Sequence, residues 1–579
     1  MTLPASLRPW AACLLFASLA SPVLAANSDV ILHNGKIVTV DAKFSVQSAI
    51  AIRDGHIAML GSDAAVLAAE RGPKTVVTDL HGATVLPGLF DSHVHPLGAG
   101  LSEFRGKLPV FDTYDTIRKY IRAKAATTPK GQWIIVPRTF PTRLDELRMP
   151  TRELLDEAKE HPVMFDASYV VIVNSLGLKI SGITRNTPNP PMGEIVHDRN
   201  GEPNGIIKNA QQLLKGLKED EGFSLDEKRR ALEDMLRRYV EAGLTSIGDG
   251  AVYAEEIGLY RDLKAAHRLP LRVTMTARYD AGRPLEDLRR DIQALPYKTN
   301  DGDDWLRFGA FKVNVDGGMT IGTAFQRQPY GEFGAQLYGK TNPDDRGQLF
   351  ETAEKLLEIF RVARDKGWTL SAHCQGGGAI DNFLGALDAL DKIKPIAPTR
   401  SHLIHASFQN PHAIAEMKRL GVLADVQPAW LYFDTPGLQK TMGAEAMKYF
   451  FPLRSYINAG IIVAGGSDHM IGHDKNSAVN PYNPFQGMWN AVTRRNIRGE
   501  VIHPEQCVTR EEALRMYTIW AAYRHFAEKT RGSLETGKLA DLVVIDRDYL
   551  KCPVDGIRQI EPMQVMIEGR TVYTRPAHK

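Results

Sequence analysis

Five short apolar segments, spread over almost the whole chain, each end in a side chain that can bind a metal ion. Neutral imidazoles and carboxylates suit Zn2+ or a similar borderline cation. A (β/α)8 barrel places its catalytic groups at the carboxyl ends of its parallel strands, which is where these side chains fall. The pattern therefore indicates a metal-dependent hydrolase with the ligands His93, His95, Lys312, His373, His405 and Asp468.

No single member of this set is decisive. His93 and His95 are two residues apart, so on a strand their side chains face the same side, but a lone HxH sequence is more often structural. Asp468 follows Gly-Gly-Ser, whose small residues permit close approach of the backbone to a ligand. The ordered placement of the whole set at strand ends favours metal binding over a separate structural role for each residue.

Eight apolar, β-rich runs predict the barrel strands, and helical patterns separate several of them, which is the alternation expected of an α/β fold. We predict a (β/α)8 TIM barrel over residues 85–529. A further β-like run at 161–174 predicts that residues 100–235 form an inserted subdomain over the barrel mouth, a differently counted barrel being the alternative. The predicted strands are Thr84–His93, Leu244–Asp249, Leu271–Ala277, Phe308–Val313, Thr369–His373, His402–Ala406, Val422–Gln427 and Ile461–Asp468.

Both chain ends alternate short β-rich runs with turns. We therefore predict that one small β-domain is built from two parts, residues 26–84 and 530–579. Two unrelated flaps are the alternative. Residues 1–25 have the cationic start, apolar stretch and small-residue cleavage site of a secretory signal peptide. The apolar stretch is shorter than the roughly 20 residues of a membrane-spanning helix, although an uncleaved anchor is the alternative. We expect an exported protein, periplasmic or secreted.

Composition narrows the classes of partner. Of the 579 residues 43% are hydrophobic and 24% charged, which is typical of a globular protein. The 71 Lys and Arg nearly balance the 68 Asp and Glu, and no basic run is interleaved with aromatic residues, so neither nucleic acid nor a membrane surface is indicated. Three cysteines remain after the predicted cleavage, too few for a disulfide framework. We expect a small-molecule substrate.

The chain resembles the amidohydrolase superfamily, in particular the branch called amidohydrolase family 3, which includes N-substituted formamide deformylase-like enzymes. The resemblance implies a distorted TIM barrel beside a β-sandwich built from both chain ends, one or two divalent ions with Zn2+ favoured, and a homo-oligomer. It is carried by PGLFDSHVH, VNSLGLKISGITRNTPNPPMGEIVHDRNGEPNGI, KVNVDGG, HCQGGGAID, GSDH and the closing EEALRMYTIWAAYRHFAEKTRGSLETGKLADLVVID.

The same resemblance implies a division of the ligands. His93 and His95 bind the more buried metal together with Asp468, and the two later histidines bind the second. Lys312 matches a bridging lysine that carries a carbamate in many members of the family. An ion pair of Lys312 with Asp316 or another carboxylate is the alternative.

A hydrolytic mechanism follows from this arrangement. A metal ion lowers the pKa of bound water toward about 7 and polarises the scissile carbonyl. Asp468 would act as general base and pass the proton to the departing amine. We predict an exported amidohydrolase that cleaves a C–N bond of a small amide, N-acyl amine or cyclic amide through a metal-bound hydroxide. The alternatives are an ester or lactone hydrolase, a deaminase, a metal-assisted lyase or isomerase, and a non-catalytic binding protein that keeps the fold.

Substrate contacts are predicted from sequence position. Trp430, Tyr432 and Trp489 follow the seventh strand or lie in the loop after the eighth, His469 directly follows Asp468, and Tyr169 replaces a histidine frequent in the family. A packing role, or hydrogen bonding within the protein, is the alternative for these residues.

A departure from the family pattern bears on the substrate. Many members have HAIGDRAID where this chain has HCQGGGAID, so Gly377 and Gly378 replace an acidic and a basic residue. The loss of two fixed charges predicts a roomier pocket that is less suited to anionic substrates.

Overall fold

The computed structural model describes residues 27–190, 193–217, 222–280 and 282–576. The predicted signal peptide at 1–25 lies outside these residues. Within these ranges no helix is both long and apolar enough to cross a bilayer.

Eight parallel strands form the central sheet, each hydrogen-bonded to the next in chain order. A parallel bridge between Val94 and His469 brings the first and last strands together, so the sheet is a nearly closed barrel. The strands are buried over almost their whole length, as expected where helices cover a parallel sheet. The α/β TIM-barrel prediction is thereby confirmed, with strands Leu89–Val94, Leu244–Val252, Arg272–Arg278, Leu306–Asn314, Thr369–Cys374, His402–His405, Leu423–Val426 and Val463–Gly465.

The predicted first barrel strand is in fact two strands in different sheets. Thr84–Pro87 pairs with Leu542–Ile545 in a terminal sheet, and Leu89–Val94 enters the barrel. The break falls at Gly88, where an added Cβ would overlap the side chain of Thr245. Only glycine allows the chain to cross between the two sheets this closely.

Helices between the strands pack around the barrel. Most of their apolar faces join the strands in one large hydrophobic core, whereas Leu337 and Tyr338 belong to a smaller separate cluster. These α-helices are Pro96–Ser102, Leu225–Glu241, Ala254–Ala265, Leu285–Ala294, Gly331–Tyr338, Ala353–Asp365, Gly377–Ile393, Pro411–Leu420, Trp430–Lys448, Leu453–Asn458, Pro484–Thr493, Arg510–Met516 and Ile519–Arg524.

The subdomain between the first two barrel strands has its own five-stranded sheet and its own hydrophobic core. Helix Leu225–Glu241 begins with a capping box between Ser224 and Glu227. It buries Leu232 and Met235 in the barrel core. This helix begins within the predicted insertion at 100–235 but packs with the barrel. The subdomain contains strands Ile134–Val136, Val163–Ala167, Val170–Val173, Glu194–His197 and Pro203–Lys208 and helices Tyr114–Ala125, Arg152–Leu155 and Ser175–Ser181.

Two further sheets pack through one hydrophobic cluster, one built from residues 30–79 and the other from both chain ends. Both ends therefore build the β-sandwich of the predicted fold, while the precise boundaries at 84/85 and 529/530 stay predictions. One sheet contains His56–Gly61, Ala49–Arg53, Val30–His33 and Val76–Asp79, and the other Arg570–Thr574, Pro562–Ile567, Leu542–Ile545, Thr84–Pro87, Lys36–Val38 and Val46–Gln47.

Candidate metal centre and active site

The carboxyl ends of the barrel strands surround a cavity of about 290 Å3. The structure brings all six predicted ligands to this point, although they are far apart in the sequence. Five of them line the cavity wall: His95, Lys312, His373, His405 and Asp468. His93 is fully buried directly behind them.

A first cluster consists of His93, His95 and Asp468, whose ligand atoms all lie within 4.8 Å of one another. Oδ1 of Asp468 is 3.5 Å from Nε2 of His93 and 3.2 Å from Nε2 of His95. This carboxylate oxygen is buried and makes no hydrogen bond to any described residue. A buried polar atom without a partner costs free energy, and a divalent cation between these three donors would satisfy it.

A second cluster consists of His373 and His405. Nε2 of His373 is 3.1 Å from the carbonyl oxygen of Gly317, which can only accept, so this nitrogen carries the proton. Nδ1 of His405 donates in the same way to Oε1 of Gln427 at 2.8 Å. The remaining nitrogens, Nδ1 of His373 and Nε2 of His405, therefore direct lone pairs at each other across 2.9 Å. Two facing lone pairs repel, and a cation held between or beside them removes the repulsion.

Burial sets the charge state of these imidazoles. It lowers the pKa of His373 to about 3 and holds those of His93 and His405 well below the ordinary value. The nearby charge of Lys312 acts in the same direction on all three histidines. The imidazoles are therefore neutral at neutral pH, which is the state that binds a metal ion. The donor set fits one or two divalent ions.

Lys312 lies beside the first cluster, with Nζ 3.3 Å from Nε2 of His93. Burial, followed by the charge of Arg278, lowers its pKa to about 7. The alternative of an ion pair with Asp316 is not what the structure shows, because the Asp316 carboxylate accepts the backbone N–H groups of Phe325, Gln375 and Gly376. Among the described residues Lys312 forms no ion pair.

Left-handed backbone conformations turn two of the ligands into the cavity. His405 has φ +73° and Asp468 has φ +54°, both unusual for residues other than glycine. The backbone N–H of Asp468 donates to the carbonyl oxygen of His93 at 2.7 Å, and Nδ2 of Asn480 donates to the Asp468 carbonyl at 2.8 Å. Strain of this kind is concentrated at functional sites, and here neighbouring hydrogen bonds maintain it.

A buried polar network below the first cluster was not predicted. Oδ1 of Asp425 accepts the hydroxyl of Ser92 at 2.6 Å, and Oδ2 lies 2.7 Å from Nη2 of Arg524 and 4.0 Å from Nδ1 of His93. Carboxylates behind a ligating histidine fix the orientation of its ring. The only signal available in sequence is that Asp425 lies in an otherwise apolar strand.

Two of the five predicted substrate residues line the cavity. The Trp430 ring is stacked against His405, with centroids 5.1 Å apart. Tyr169 belongs to the inserted subdomain, and its hydroxyl accepts the amide of Asn314 at 2.7 Å.

The other three predicted substrate residues do not line this cavity, and their contacts match the alternative of packing or hydrogen bonding within the protein. His469 is fully buried and uses both ring nitrogens, one with the Tyr239 hydroxyl and one with the Gly472 carbonyl. Trp489 is buried in helix Pro484–Thr493 and donates to Asp555 at 3.0 Å. Tyr432 packs against Trp489 with ring centroids 5.9 Å apart and does not line the cavity.

The prediction that Gly377 and Gly378 remove fixed charges from the pocket is wrong. A Cβ atom added at Gly377 would overlap the guanidinium of Arg327, and one at Gly378 would lie 2.7 Å from the Phe325 ring. Neither glycine lines the cavity, whereas three arginines do: Arg138, Arg143 and Arg278. Arg278 ends the third barrel strand, so the strand-end criterion applied to the histidines would have found it. The other two lie in a segment without a regular pattern.

Comparison with known proteins agrees with this architecture. A sequence profile described as the amidohydrolase family matches residues 76–573. N-substituted formamide deformylase from Arthrobacter pascens is 31% identical over 559 residues, covering 94% of this chain and 98% of that protein. The putative amidohydrolase YtcJ from Bacillus subtilis is 27% identical over 558 residues, covering 94% and 99% of the two chains.

Solved structures show the same fold. An uncharacterised metal-dependent hydrolase from Pyrococcus furiosus superposes with a TM-score of 0.63 at 22% identity, over 90% of this chain and all of that one. Atrazine chlorohydrolase TrzN from Arthrobacter aurescens TC1, complexed with zinc, superposes with a TM-score of 0.53 at 17% identity, over 94% of each chain. The chain therefore belongs to the amidohydrolase family of metal-dependent hydrolases.

Proposed function

We propose that this enzyme hydrolyses the C–N bond of a small amide, N-acyl amine or cyclic amide, with Zn2+ as the resident ion. The convergence of two sets of buried, neutral donors at the carboxyl ends of the strands carries the proposal. The similarity to an N-substituted formamide deformylase over nearly the whole chain supports an N-acyl substrate. The cavity of about 290 Å3 suits a molecule smaller than most drugs.

A divalent ion bound here would supply a Lewis acid for the scissile carbonyl and would lower the pKa of a coordinated water. Asp468 would accept a proton from the attacking water on its carboxylate and give it to the departing amine, so that water and amide become acid and amine. Its side chain reaches both His93 and His95, and its backbone is held by His93 and Asn480. The carboxylate is therefore fixed before substrate binds.

Lys312 would carry a carbamate. The neutral ε-amine attacks carbon dioxide, an N–C bond forms, and one proton leaves, which converts a cation-forming group into an anion. Two observations support this: the pKa of Lys312 is lowered to about 7, and its Nζ lies beside the first cluster with no carboxylate partner in the described chain. A buried ammonium at this position would repel the metal ions.

Export is a further part of the proposal. The signal-like pattern of residues 1–25 supports a periplasmic or secreted location. Amino-terminal sequencing of the protein recovered from a periplasmic extract is expected to begin at residue 26. An intact leader on protein found only in the cytoplasm would contradict export.

Metal analysis and a substrate panel together test the function. The purified protein is expected to hold between one and two Zn2+ per chain and to release amine and acid from N-formyl and N-acyl compounds, with loss of activity on chelation and recovery on Zn2+ addition. Release of ammonia from amino-heterocycles would instead indicate a deaminase. Turnover of lactones alone would indicate an ester or lactone hydrolase. Full metal content without any turnover would favour a binding protein.

A further inference from the structure

The three cavity arginines differ in how their charge is compensated. Arg138 pairs with Asp166, its Nε and Nη2 lying 3.2 and 3.1 Å from Oδ2 of that carboxylate. Arg143 forms a two-pronged pair with Asp434, at 2.8 and 2.9 Å. Both guanidinium groups are therefore neutralised within the wall.

Arg278 has no such partner. Its guanidinium pairs with no carboxylate in the part of the chain that the structure describes, and its Cζ lies 5.9 Å from the centroid of the Tyr253 ring. The residue is half-buried and lines the cavity. Partial burial raises the free-energy cost of an unpaired charge, so Arg278 is placed to receive an anion from solution.

The position of Arg278 brings that anion close to the reacting bond. In the parallel register Arg278 lies opposite Lys312 on the neighbouring strand, at the usual strand spacing of about 4.8 Å. The charge of Arg278 is close enough to alter the pKa values of Lys312, His373 and Tyr169. A group bound to Arg278 would therefore lie in the same cavity as the predicted metal donors.

We infer that Arg278 is an anchor for a carboxylate on the substrate, so that the preferred substrates are small amides bearing a carboxylate. This inference rests on the proposed amidohydrolase function. A guanidinium presents two parallel donors that match the two oxygens of a carboxylate. The alternative partner, a carbamate on Lys312, would make Arg278 a support for the metal centre.

Matched pairs of substrates test the anchor. N-formylglycine and N-formylglycinamide differ in one carboxylate, and formate release measures hydrolysis of the same bond in both. The Zn2+-loaded wild type is expected to prefer the acid, and Arg278→Gln to abolish that preference by lowering kcat/KM for the acid about 10- to 100-fold, the value of a hydrogen-bonded charge. Arg278→Lys should retain part of the preference for the acid. Arg138→Gln, which removes a compensated cation from the same wall, should leave the ratio between the two substrates unchanged.

Other outcomes distinguish failure of the proposed carboxylate anchor from failure of the proposed amidohydrolase function. If the wild type cleaves N-formylglycinamide as well as N-formylglycine, the anchor is refuted and the amidohydrolase function stands. If Arg278→Gln loses bound zinc, the residue supports the metal centre and the anchor is refuted. If neither compound is cleaved, calorimetric titration with N-formylglycine decides: binding by wild type that Arg278→Gln loses supports the anchor and counts against the function, and equal binding or none refutes the anchor.

Discussion

Nδ1 of His373 lies 2.9 Å from Nε2 of His405, and hydrogen bonds on the far side of each ring leave both of these nitrogens with a lone pair. No proton is available to join them while both rings are neutral, and burial keeps their pKa values low. The pair is therefore preorganised for a cation.

His405→Ala is expected to remove about one Zn2+ per chain from a two-ion centre, because the second cluster has only two histidines. It should also reduce the rise in Tm that saturating Zn2+ gives, since an ion that binds only the folded state stabilises by about 4 kcal/mol at 1,000 times its Kd. Plasma mass spectrometry and thermal unfolding measure both effects. His412→Ala, at an exposed position on helix Pro411–Leu420, is the control. Unchanged zinc in His405→Ala would contradict a metal role for the pair.

The six ligands could be predicted from sequence because each is a potential metal-binding residue at the end of an apolar run. The parallel strands of a barrel bring their carboxyl ends together at one mouth. The substrate residues could not be predicted equally well. His469 directly follows Asp468, but the left-handed backbone at Asp468 breaks the extended run, and the His469 imidazole faces Tyr239 and the carbonyl of Gly472. Arg138 comes from irregular chain in the inserted subdomain, whose docking over the mouth depends on tertiary packing that no local pattern encodes.

The same limit applies to the glycines. The motif predicts missing charges at Gly377 and Gly378, whereas their surroundings show close packing against Arg327 and Phe325. Which face of a helix turns to the cavity depends on how that helix is rotated, and one motif does not determine this. The division of Thr84–Val94 at Gly88 likewise depends on the approach of Thr245 from another strand.

Asp468→Asn is expected to lower kcat by about 100- to 10,000-fold, the usual contribution of a general acid–base group. An amide cannot accept the proton of the attacking water, although it fills the same space. Far-ultraviolet circular dichroism should be unchanged, which separates chemistry from folding. Asp166→Asn removes a carboxylate that pairs with Arg138 away from the metal cluster, so its effect on kcat should be much smaller. Equal effects of the two substitutions would count against Asp468 as the base.

Lys312 should make the stability of the metal-free protein depend on pH. Its pKa in the folded chain is about 7, below the value of about 10.4 for an exposed lysine, so the unfolded chain binds the proton more tightly. Stability therefore rises with pH between these two values as the cost of burying the charge disappears. Below about pH 7 the whole cost is present.

Lys312→Met removes this cost while preserving the shape of the side chain. In metal-free protein without carbon dioxide, the variant is expected to have a higher Tm than wild type at about pH 7, with the difference shrinking as the pH approaches about 10. Lys529→Met, at an exposed position, should shift Tm little at either pH. A Tm difference independent of pH would show that Lys312 is not buried as an ammonium in the folded chain.

Asp425→Asn is expected to weaken zinc binding by about 10- to 100-fold, the usual effect of losing a group that orients a metal ligand. Asp425 does not line the cavity. Its Oδ2 lies 4.0 Å from Nδ1 of His93. Competition with a chromophoric chelator measures the affinity. Ser92→Ala removes the bond to the other carboxylate oxygen and should have a smaller effect. If Asp425→Asn binds zinc with wild-type affinity, the network only supports the fold.

Gly250→Ala tests the metal centre without changing any ligand. Gly250 lies on the second barrel strand, where an added Cβ would overlap the imidazole ring of His93. His93 is fully buried and cannot turn into solvent, so the ring must shift and the first cluster must lose its geometry. We expect lower zinc content and loss of turnover in a protein that still folds.

Gly258→Ala is the matched control, because nothing lies within 4 Å of its added Cβ in helix Ala254–Ala265. Alanine there should stabilise the helix by up to about 1 kcal/mol. Full zinc content in Gly250→Ala would show that the first cluster tolerates displacement of His93, and a ligand role for this residue would then be untenable.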